Sequence, residues 1–140
     1  MIVDDRRSVS MAEEHPNILL FKGMKPGNLA DATELFAPDA VFHYINPRLP
    51  DIQGDYIGMD GIRSFFEKIN AVSAGTFRVE PLSITAMGDE LVVMHNKNRL
   101  TMQEQSIETD VVLVWRIVDG RVVEVWDIPS VYTGPSPPEG

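Results

Sequence analysis

The sequence contains no cysteine among its 140 residues. A chain without thiols cannot form disulfides, thiolate nucleophiles, iron–sulfur clusters or cysteine-ligated zinc sites. Basic residues are also few, since 12 lysines and arginines face 21 aspartates and glutamates and leave a formal net charge of −9. Because an acidic surface repels phosphate backbones and anionic headgroups, we expect neither nucleic acid nor a membrane as a partner.

Long hydrophobic runs are absent as well. The longest strongly apolar run, residues 111–115, is far shorter than a membrane span. The opening MIVDDRRSVS carries acids and has no apolar core, so it differs from a secretory signal. We therefore expect a cytoplasmic protein with a loose arm at residues 1–10, one folded domain at 11–132 and a disordered, proline-rich tail at 133–140.

Three helices are predicted in the first half of the chain. Apolar residues at helical spacing predict the first over residues 11–24. Asn28 is a suitable N-cap for a second helix, whose apolar face would include Leu35 and Phe36. The third begins at Asp60 and continues with apolar residues at spacings of three and four.

Five strands complete the prediction. The first, residues 40–46, is followed by a turn-rich loop at 47–58. Alternation with a period of two then predicts four long antiparallel strands, at about 76–87, 90–102, 107–118 and 121–132. Helices followed by strands indicate an α+β fold, with the helices packed on one face of a strongly curved mixed or antiparallel sheet.

The last two strands are largely apolar on both faces. In the strand at 107–118, Val112 and Val114 alternate with the apolar residues of the other face. A single antiparallel sheet commonly leaves one face in water. Helices can cover one face here, and a second copy of the chain would cover the other. We therefore expect a homodimer that forms through the sheet face.

Asp127 continues an otherwise apolar face of the last strand, which it shares with Val123 and Val125. A carboxylate in that setting is desolvated, which raises its pKa and suits it to transfer protons near neutral pH. The alternative is that Asp127 lies at the end of the strand, where it is solvated or paired with an arginine.

Two other strands carry polar residues that could serve a ligand. Asn96 and Asn98 follow Met94 on one face, where they could hydrogen-bond a ligand or mark the point at which the strand emerges into water. Tyr44 could donate to an oxyanion and His43 could be a general base, on opposite faces of the first strand. Alternatively, Tyr44 is a half-buried aromatic residue and His43 a hydrogen-bonded core histidine.

Motifs for metals and cofactors are not found. The three histidines, His15, His43 and His95, are not paired at spacings of three or four, so we expect no metal site. The glycines before the third helix lack the Gly-Lys-Ser/Thr of a phosphate loop. We expect no cofactor.

Three segments in order carry a resemblance to a known family. Residues 27–43 include GNL and LFAPDAVFH, residues 54–66 include GDYIGMDGI and FF, and residues 114–127 include VWR and DGRVVEVWD. Together they resemble the conserved segments of SnoaL-like polyketide cyclases and ketosteroid-isomerase-like proteins, over about residues 10–132. The resemblance implies the cone-shaped α+β barrel that these proteins share with nuclear transport factor two.

The catalytic residues of true ketosteroid isomerases are not matched. Their aspartate base falls at Tyr44, their oxyanion-hole tyrosine near Leu20 and their protonated aspartate near Leu113. SnoaL-like cyclases place one acid–base carboxylate in an apolar cavity, and the resemblance implies that Asp127 has this role.

Limonene-epoxide-hydrolase-like enzymes share the fold and provide a further comparison. Their last aspartate matches Asp127, and their Tyr-x-Asn pair is similar to Tyr44 and Asn46. Their arginine and first aspartate, however, match Asn96 and Asn98, and an amide cannot take a proton from water.

The favoured function is that of a SnoaL-like protein that binds a small hydrophobic carbonyl compound and moves a proton on it. Such a protein would be a cofactor-independent isomerase, cyclase or dehydratase. Asp127 would be the acid–base group, and Tyr44 with Asn98 or Asn96 would orient the substrate oxygen. The cavity wall would comprise Trp115, Leu113, Met94, Phe42 and Phe66. The alternatives are a non-catalytic carrier or sensor, a limonene-epoxide-hydrolase-like enzyme and a dimeric interaction module.

Overall fold

A computed structural model describes residues 15–22 and 33–132 of the chain. In these residues the elements are α1 (Pro16–Leu19), β1 (Phe36–Tyr44), β2 (Gly54–Ile57), α2 (Gly58–Val72), β3 (Arg78–Met87), β4 (Leu91–Met102), β5 (Gln105–Val118) and β6 (Arg121–Pro129). Neither of these helices is long and apolar enough to cross a membrane.

The six strands form one mixed sheet in the order β2-β1-β6-β5-β4-β3. Strands β3 to β6 form an antiparallel meander, as predicted, while β1 lies parallel to β6 and antiparallel to β2. The turn between β5 and β6 has positive φ at both Asp119 and Gly120, which is the hairpin geometry that the Asp-Gly pair predicts. The predicted α+β class with a mixed sheet is confirmed.

The helix α2 covers one face of the sheet. Its apolar residues Ile62, Phe65 and Ile69 recur at spacings of three and four and are buried, so the helix presents one apolar stripe to β1 and β2. Phe65 lies between Phe42 and Tyr44 of β1, with ring centroids 4.6 and 4.7 Å away. The third predicted helix is therefore confirmed, beginning two residues before Asp60.

The predictions for the first two helices are largely not met in the described residues. The predicted helix at 11–24 is represented there by the single turn of α1, and residues 11–14 and 23–24 lie outside the description. Residues 28–32 of the second predicted helix also lie outside it. Leu35 and Phe36 are not helical, because Phe36 opens β1 and pairs with Val122 of β6. Pairing with a distant strand overrides the local helical pattern at these two residues.

The region of the first strand differs from the prediction in two ways. Strand β1 starts at Phe36 rather than at residue 40, and the expected loop at 47–58 contains the short strand β2. Four residue pairs join β2 to β1, from Val41 with Ile57 to Tyr44 with Gly54. With only four residues, β2 is too short for its alternation to stand out in the sequence.

The expectation of a strongly curved barrel is corrected. The described strands form an open sheet, with β2 at one edge and β3 at the other. A register shift between Arg116 and Ile117 also changes the predicted faces of β6. Val122 is fully buried and Val123 only partly, although alternation placed Val123 on the buried face, because a bulge of this kind interrupts the period of two.

The face of the sheet opposite α2 carries most of the charge. His95 and Lys97 of β4 contact Asp110 of β5 at 2.8 and 3.0 Å, and Arg99 contacts Glu108 at 2.8 Å. Between these pairs and β1, the same face exposes the apolar side chains Ile45, Val112 and Ile128. In this chain that face is therefore amphipathic and not covered by a helix of the described residues.

Candidate ligand-binding site

The register of the sheet places four side chains in one row across the face that α2 covers. Met94 pairs with Leu113, Leu113 pairs with Asp127, and Asp127 pairs with Tyr44. Residues directly opposite one another in neighbouring strands project from the same face of a sheet. A carboxyl and a phenol thus lie side by side in a row that is otherwise apolar.

A cavity of about 300 Å³ lies over this face. Of the residues expected to serve a ligand, those that line it are Phe42, Phe66, Met94, Asn96, Asn98, Leu113, Trp115 and Asp127. The structure thus brings the predicted wall residues, both amides and the predicted acid–base residue together in one enclosure. Its volume lies at the lower end of the range for pockets that bind small organic ligands, about 300–1,000 Å³.

Several aromatic and aliphatic wall residues were not identified from the sequence. They are Phe21, Phe65, Phe77, Val79, Pro81 and Ile84. Phe65 had a visible signal, because it lies on the apolar stripe of a predicted helix. Phe21 had a similar signal, because it lies at helical spacing in the first predicted helix, but in the structure it is not helical and packs edge-on against Trp115 with ring centroids 4.8 Å apart.

Asp127 is the only charged residue among the described residues that line this cavity. Its side chain is buried, and its Oδ1 has no hydrogen-bond partner among the described residues. Burial raises the pKa of Asp127 from 3.8 to about 7, because the ionised carboxylate is desolvated. Near neutral pH this carboxyl is therefore poised to accept or donate a proton.

Three neutral side chains also present unmatched polar atoms in the cavity wall. These atoms are Oδ1 of Asn96, Oδ1 of Asn98 and Nε1 of Trp115, which have no hydrogen-bond partner among the described residues. A buried polar atom without a partner costs about 1–3 kcal/mol. Such groups are typical of a site whose partner is a bound molecule.

Tyr44 and Asn46 line a second, smaller cavity of about 60 Å³ instead of the larger one. Asn46 donates from Nδ2 to Oη of Tyr44 at 2.9 Å, and its Oδ1 accepts from the backbone N–H of Arg48 at 3.0 Å. Burial and the nearby Asp127 raise the pKa of Tyr44 well above its ordinary value of 10.0. Asp127 and Asn98 line both cavities, so the two enclosures adjoin at these residues.

His43 lies on the opposite face of the sheet and lines neither of these cavities. Its Nδ1 contacts Asp55 and its Nε2 contacts Glu124, each at 2.6 Å, while its ring stacks on Trp126 with centroids 5.3 Å apart. Burial alone would lower the pKa of His43, but the bonds to both carboxylates and their charges raise it above 6.5. The structure therefore separates His43 from Asp127 and assigns its ring to an ion-pair network.

Histidine, aspartate and glutamate are the side chains that could hold a metal ion in a chain without cysteine. In residues 15–22 and 33–132, no three histidine, aspartate or glutamate side chains are grouped closely enough to hold a metal ion. The polar set of the larger cavity consists of the carboxyl of Asp127, the amides of Asn96 and Asn98, the hydroxyl of Ser83 and the indole N–H of Trp115, among aromatic rings. This set suits hydrogen bonding to an organic molecule.

Solved structures with similar folds include the following three. TerC, in a structure co-crystallised with polyporic acid, shares 21% identity over 82% of this chain and 92% of that chain, with a TM-score of 0.69. A protein from Jannaschia sp. CCS1, described as a SnoaL-like polyketide cyclase, shares 14% over 81% and 83%, with a TM-score of 0.65. An NTF2-like protein from Anabaena variabilis ATCC 29413 shares 11% over 93% and 94%, with a TM-score of 0.62. At these identities the likeness shows the fold, which is NTF2-like.

Fold and cavity thus define an α+β protein of NTF2-like fold with a largely apolar cavity. Residues 19–125 match the sequence profile of the SnoaL-like domain. This match spans most of the chain, and the chain belongs to the SnoaL-like domain family. No curated protein sequence matches it.

Proposed function

We propose that the protein binds a small, mostly hydrophobic carbonyl compound in the larger cavity and that Asp127 moves a proton on it. The aromatic wall and the volume of about 300 Å³ support a compact, flat ligand with few polar atoms. A protein of similar fold, TerC, was crystallised with the small molecule polyporic acid. Family membership supports the same class of ligand, because neighbours in fold include a SnoaL-like polyketide cyclase.

The observation that carries this proposal is the environment of Asp127. Its carboxyl is buried at the cavity wall, has an unmatched oxygen and has its pKa raised to about 7. At that pKa the ionised and protonated forms coexist near neutral pH, so the group can take a proton from carbon and return it elsewhere. General acid–base catalysis of this kind contributes about 10²–10⁴ in rate.

Asn96 and Asn98 are the groups that would orient the ligand oxygen. When a proton leaves the carbon next to a carbonyl, negative charge develops on the oxygen, and an N–H donor placed there stabilises it. The amides of these two residues can supply such N–H groups from the cavity wall. Tyr44 lines only the smaller cavity, so its contribution would act on Asp127 and not directly on the ligand.

We also propose that two copies of the chain associate through the exposed face of the sheet. Val112 and Ile128 pair across β5 and β6 there, and they are 39% and 41% exposed. Ile45 extends the same patch and is 41% exposed. A contiguous apolar patch rimmed by charged pairs is typical of a surface that associates.

A proton-exchange assay tests the catalytic part without knowledge of the natural substrate. Methyl ketones of increasing ring size, such as acetophenone and 2-acetylnaphthalene, are incubated with the protein in D2O, and loss of the methyl proton signal is followed by NMR. We expect the wild-type protein to accelerate exchange of at least one ketone and Asp127→Asn to lose the acceleration while still binding it. The exposed Asp51→Asn makes the same chemical change away from the cavity and should leave exchange unaltered.

The assay also separates the alternatives. Binding without accelerated exchange in the wild-type protein would favour the carrier or sensor over the enzyme. Equal acceleration by wild type and Asp127→Asn would remove Asp127 from the mechanism. Binding is followed by the fluorescence of Trp115 in a Trp126→Phe background, because the chain has two tryptophans and only Trp115 lines the cavity.

A further inference from the structure

The smaller cavity differs from the larger one in both size and lining. Its volume is about 60 Å³, against about 300 Å³ for the larger cavity. One water needs only about 10–15 Å³ of space for its centre, whereas organic ligands are held in pockets of about 300 Å³ or more. By size alone, the smaller cavity suits water and excludes the ligand.

Polar groups of the smaller cavity are numerous enough to hold water. Its wall includes Tyr44, Asn46, Asn98, Thr109 and Asp127 among apolar residues. A buried water usually needs two to four polar partners. Because Oη of Tyr44 already accepts from Asn46, its hydroxyl proton can be donated to a water.

Asp127 and Asn98 connect this polar chamber to the ligand site. Both residues line both cavities, and Oδ1 of each lacks a hydrogen-bond partner among the described residues. Apart from Asp127, no charged side chain of the described residues lines either cavity. A molecule that occupies one of the cavities could donate to both of these oxygens.

We propose that the smaller cavity is a water subsite, in which one or more waters bridge the Tyr44 hydroxyl to the carboxyl of Asp127 and are shared with Asn98. The carboxyl then has two neighbours, a ligand in the larger cavity and water in the smaller one. Its proton can exchange with this water while a ligand remains bound. Use of the subsite in turnover rests on the proposed function of Asp127, whereas occupation of the subsite by water does not.

A pair of valine substitutions tests the subsite without altering any polar group. Val111 is buried and lines only the smaller cavity, so Val111→Ile adds a methyl group to that space. Val79 lines only the larger cavity, and Val79→Ile is the matched control. Two quantities are measured on each: the nuclear Overhauser effect from water to the side-chain amide protons of Asn98, and the carbon-13 titration of the Asp127 carboxyl.

We expect a water signal at Asn98 in the wild-type protein and in Val79→Ile, and its loss in Val111→Ile. Loss of water that hydrogen-bonds the ionised carboxylate should raise the pKa of Asp127 in Val111→Ile by about half a unit or more. Tyr44→Phe provides a second route to the same change if Val111→Ile fails to fold. A wild-type protein without the water signal, or an unchanged Asp127 titration in both Val111→Ile and Tyr44→Phe, would overturn the subsite. Neither measurement depends on turnover, so failure of the water subsite can be distinguished from failure of the proposed function.

Discussion

Tyr44 and Asp127 are direct partners in the parallel ladder between β1 and β6, and both side chains are buried on the face that α2 covers. A phenol and a carboxyl are thereby held next to one another in an apolar setting. Burial raises the pKa of both groups, which keeps Tyr44 protonated and leaves Asp127 able to titrate near neutral pH.

Buried Asp127 should make the protein less stable as the pH rises. Its folded pKa of about 7 exceeds the ordinary 3.8, so the unfolded chain releases this proton at lower pH than the folded chain. The contribution of Asp127 to the free energy of unfolding is therefore highest below pH 4. It falls between pH 4 and 7 and is constant at higher pH. The shift of the pKa from 3.8 to about 7 corresponds to a loss of about 4 kcal/mol of folding stability, at 1.4 kcal/mol per pKa unit.

Asp127→Asn tests this dependence by urea unfolding at several pH values. We expect the variant to be more stable than wild type by a few kcal/mol at pH 8, with the difference shrinking towards pH 4. The surface change Asp51→Asn is the control and should leave the pH profile as it is in wild type. A difference that does not vary with pH would show that Asp127 is not desolvated.

His43 should stabilise the protein with a pH dependence of the same sign as that of Asp127, but beginning at a higher pH. Both ring nitrogens contact a carboxylate at 2.6 Å, from Asp55 and Glu124, which favours the doubly protonated ring. Although burial lowers the pKa of His43, these contacts raise it above 6.5, so the stabilisation is complete below pH 6.5 and is lost as pH rises through the raised pKa. We expect His43→Gln to lose about 0.5–1 kcal/mol at pH 6 and less at pH 9, measured by urea unfolding. Equal losses at both pH values would refute the ionic account.

The β4–β5 turn should be improvable by a single substitution. Gln103 and Glu104 both have positive φ, at 51° and 66°, a conformation that costs a side chain about 1–2 kcal/mol. Glu104→Gly should therefore raise the free energy of unfolding by about 0.5–1 kcal/mol, measured by urea denaturation.

In the β5–β6 turn, a glycine at positive φ can be replaced by a residue with a side chain. Gly120 has φ of +77°, and a Cβ added there would meet nothing within 4 Å, so Gly120→Ala introduces backbone strain alone. We expect it to lower the free energy of unfolding by about 1 kcal/mol. A gain in stability in Gly120→Ala would contradict this assignment of the turn.

The exposed sheet face should control the oligomeric state. Ile128→Lys places a charge in the patch formed with Val112, so the variant should sediment as a monomer at concentrations at which wild type is a dimer. Met87→Lys is the control, since Met87 is 51% exposed at the end of the edge strand β3. A wild-type monomer at micromolar concentration in analytical ultracentrifugation would refute the dimer.

Patterns that persist over many residues of the sequence predicted much of the fold. The stripe of α2 and the alternation of β3 to β6 each extend over many residues, and the Asp119-Gly120 pair has one natural hairpin geometry. Phe36 could not be placed in this way, because its strand is stabilised by pairing with β6 from a distant part of the chain. The face of Val122 was likewise hidden by a register shift that has no local signature.

For the candidate site, the sequence identified the residues of the sheet better than those around it. Asp127, Asn96 and Asn98 stood out because each is a polar residue that continues an apolar face. Phe21 could not be identified, because its place over Trp115 depends on tertiary packing. The division of the site into two cavities likewise depends on how Phe65 and Phe77 fill the space between them, which no pattern in the sequence encodes.

Proton transfer by Asp127 is tested most simply by measuring the pKa of its carboxyl in the folded protein. Carbon-13 NMR of the carboxyl, with Asp127→Asn to assign the signal, gives this value without a ligand. We expect a midpoint of about 7, because the carboxylate is desolvated in the cavity wall. A midpoint near or below the ordinary value of about 3.9 would mean a solvated or ion-paired carboxylate and would contradict proton transfer by Asp127.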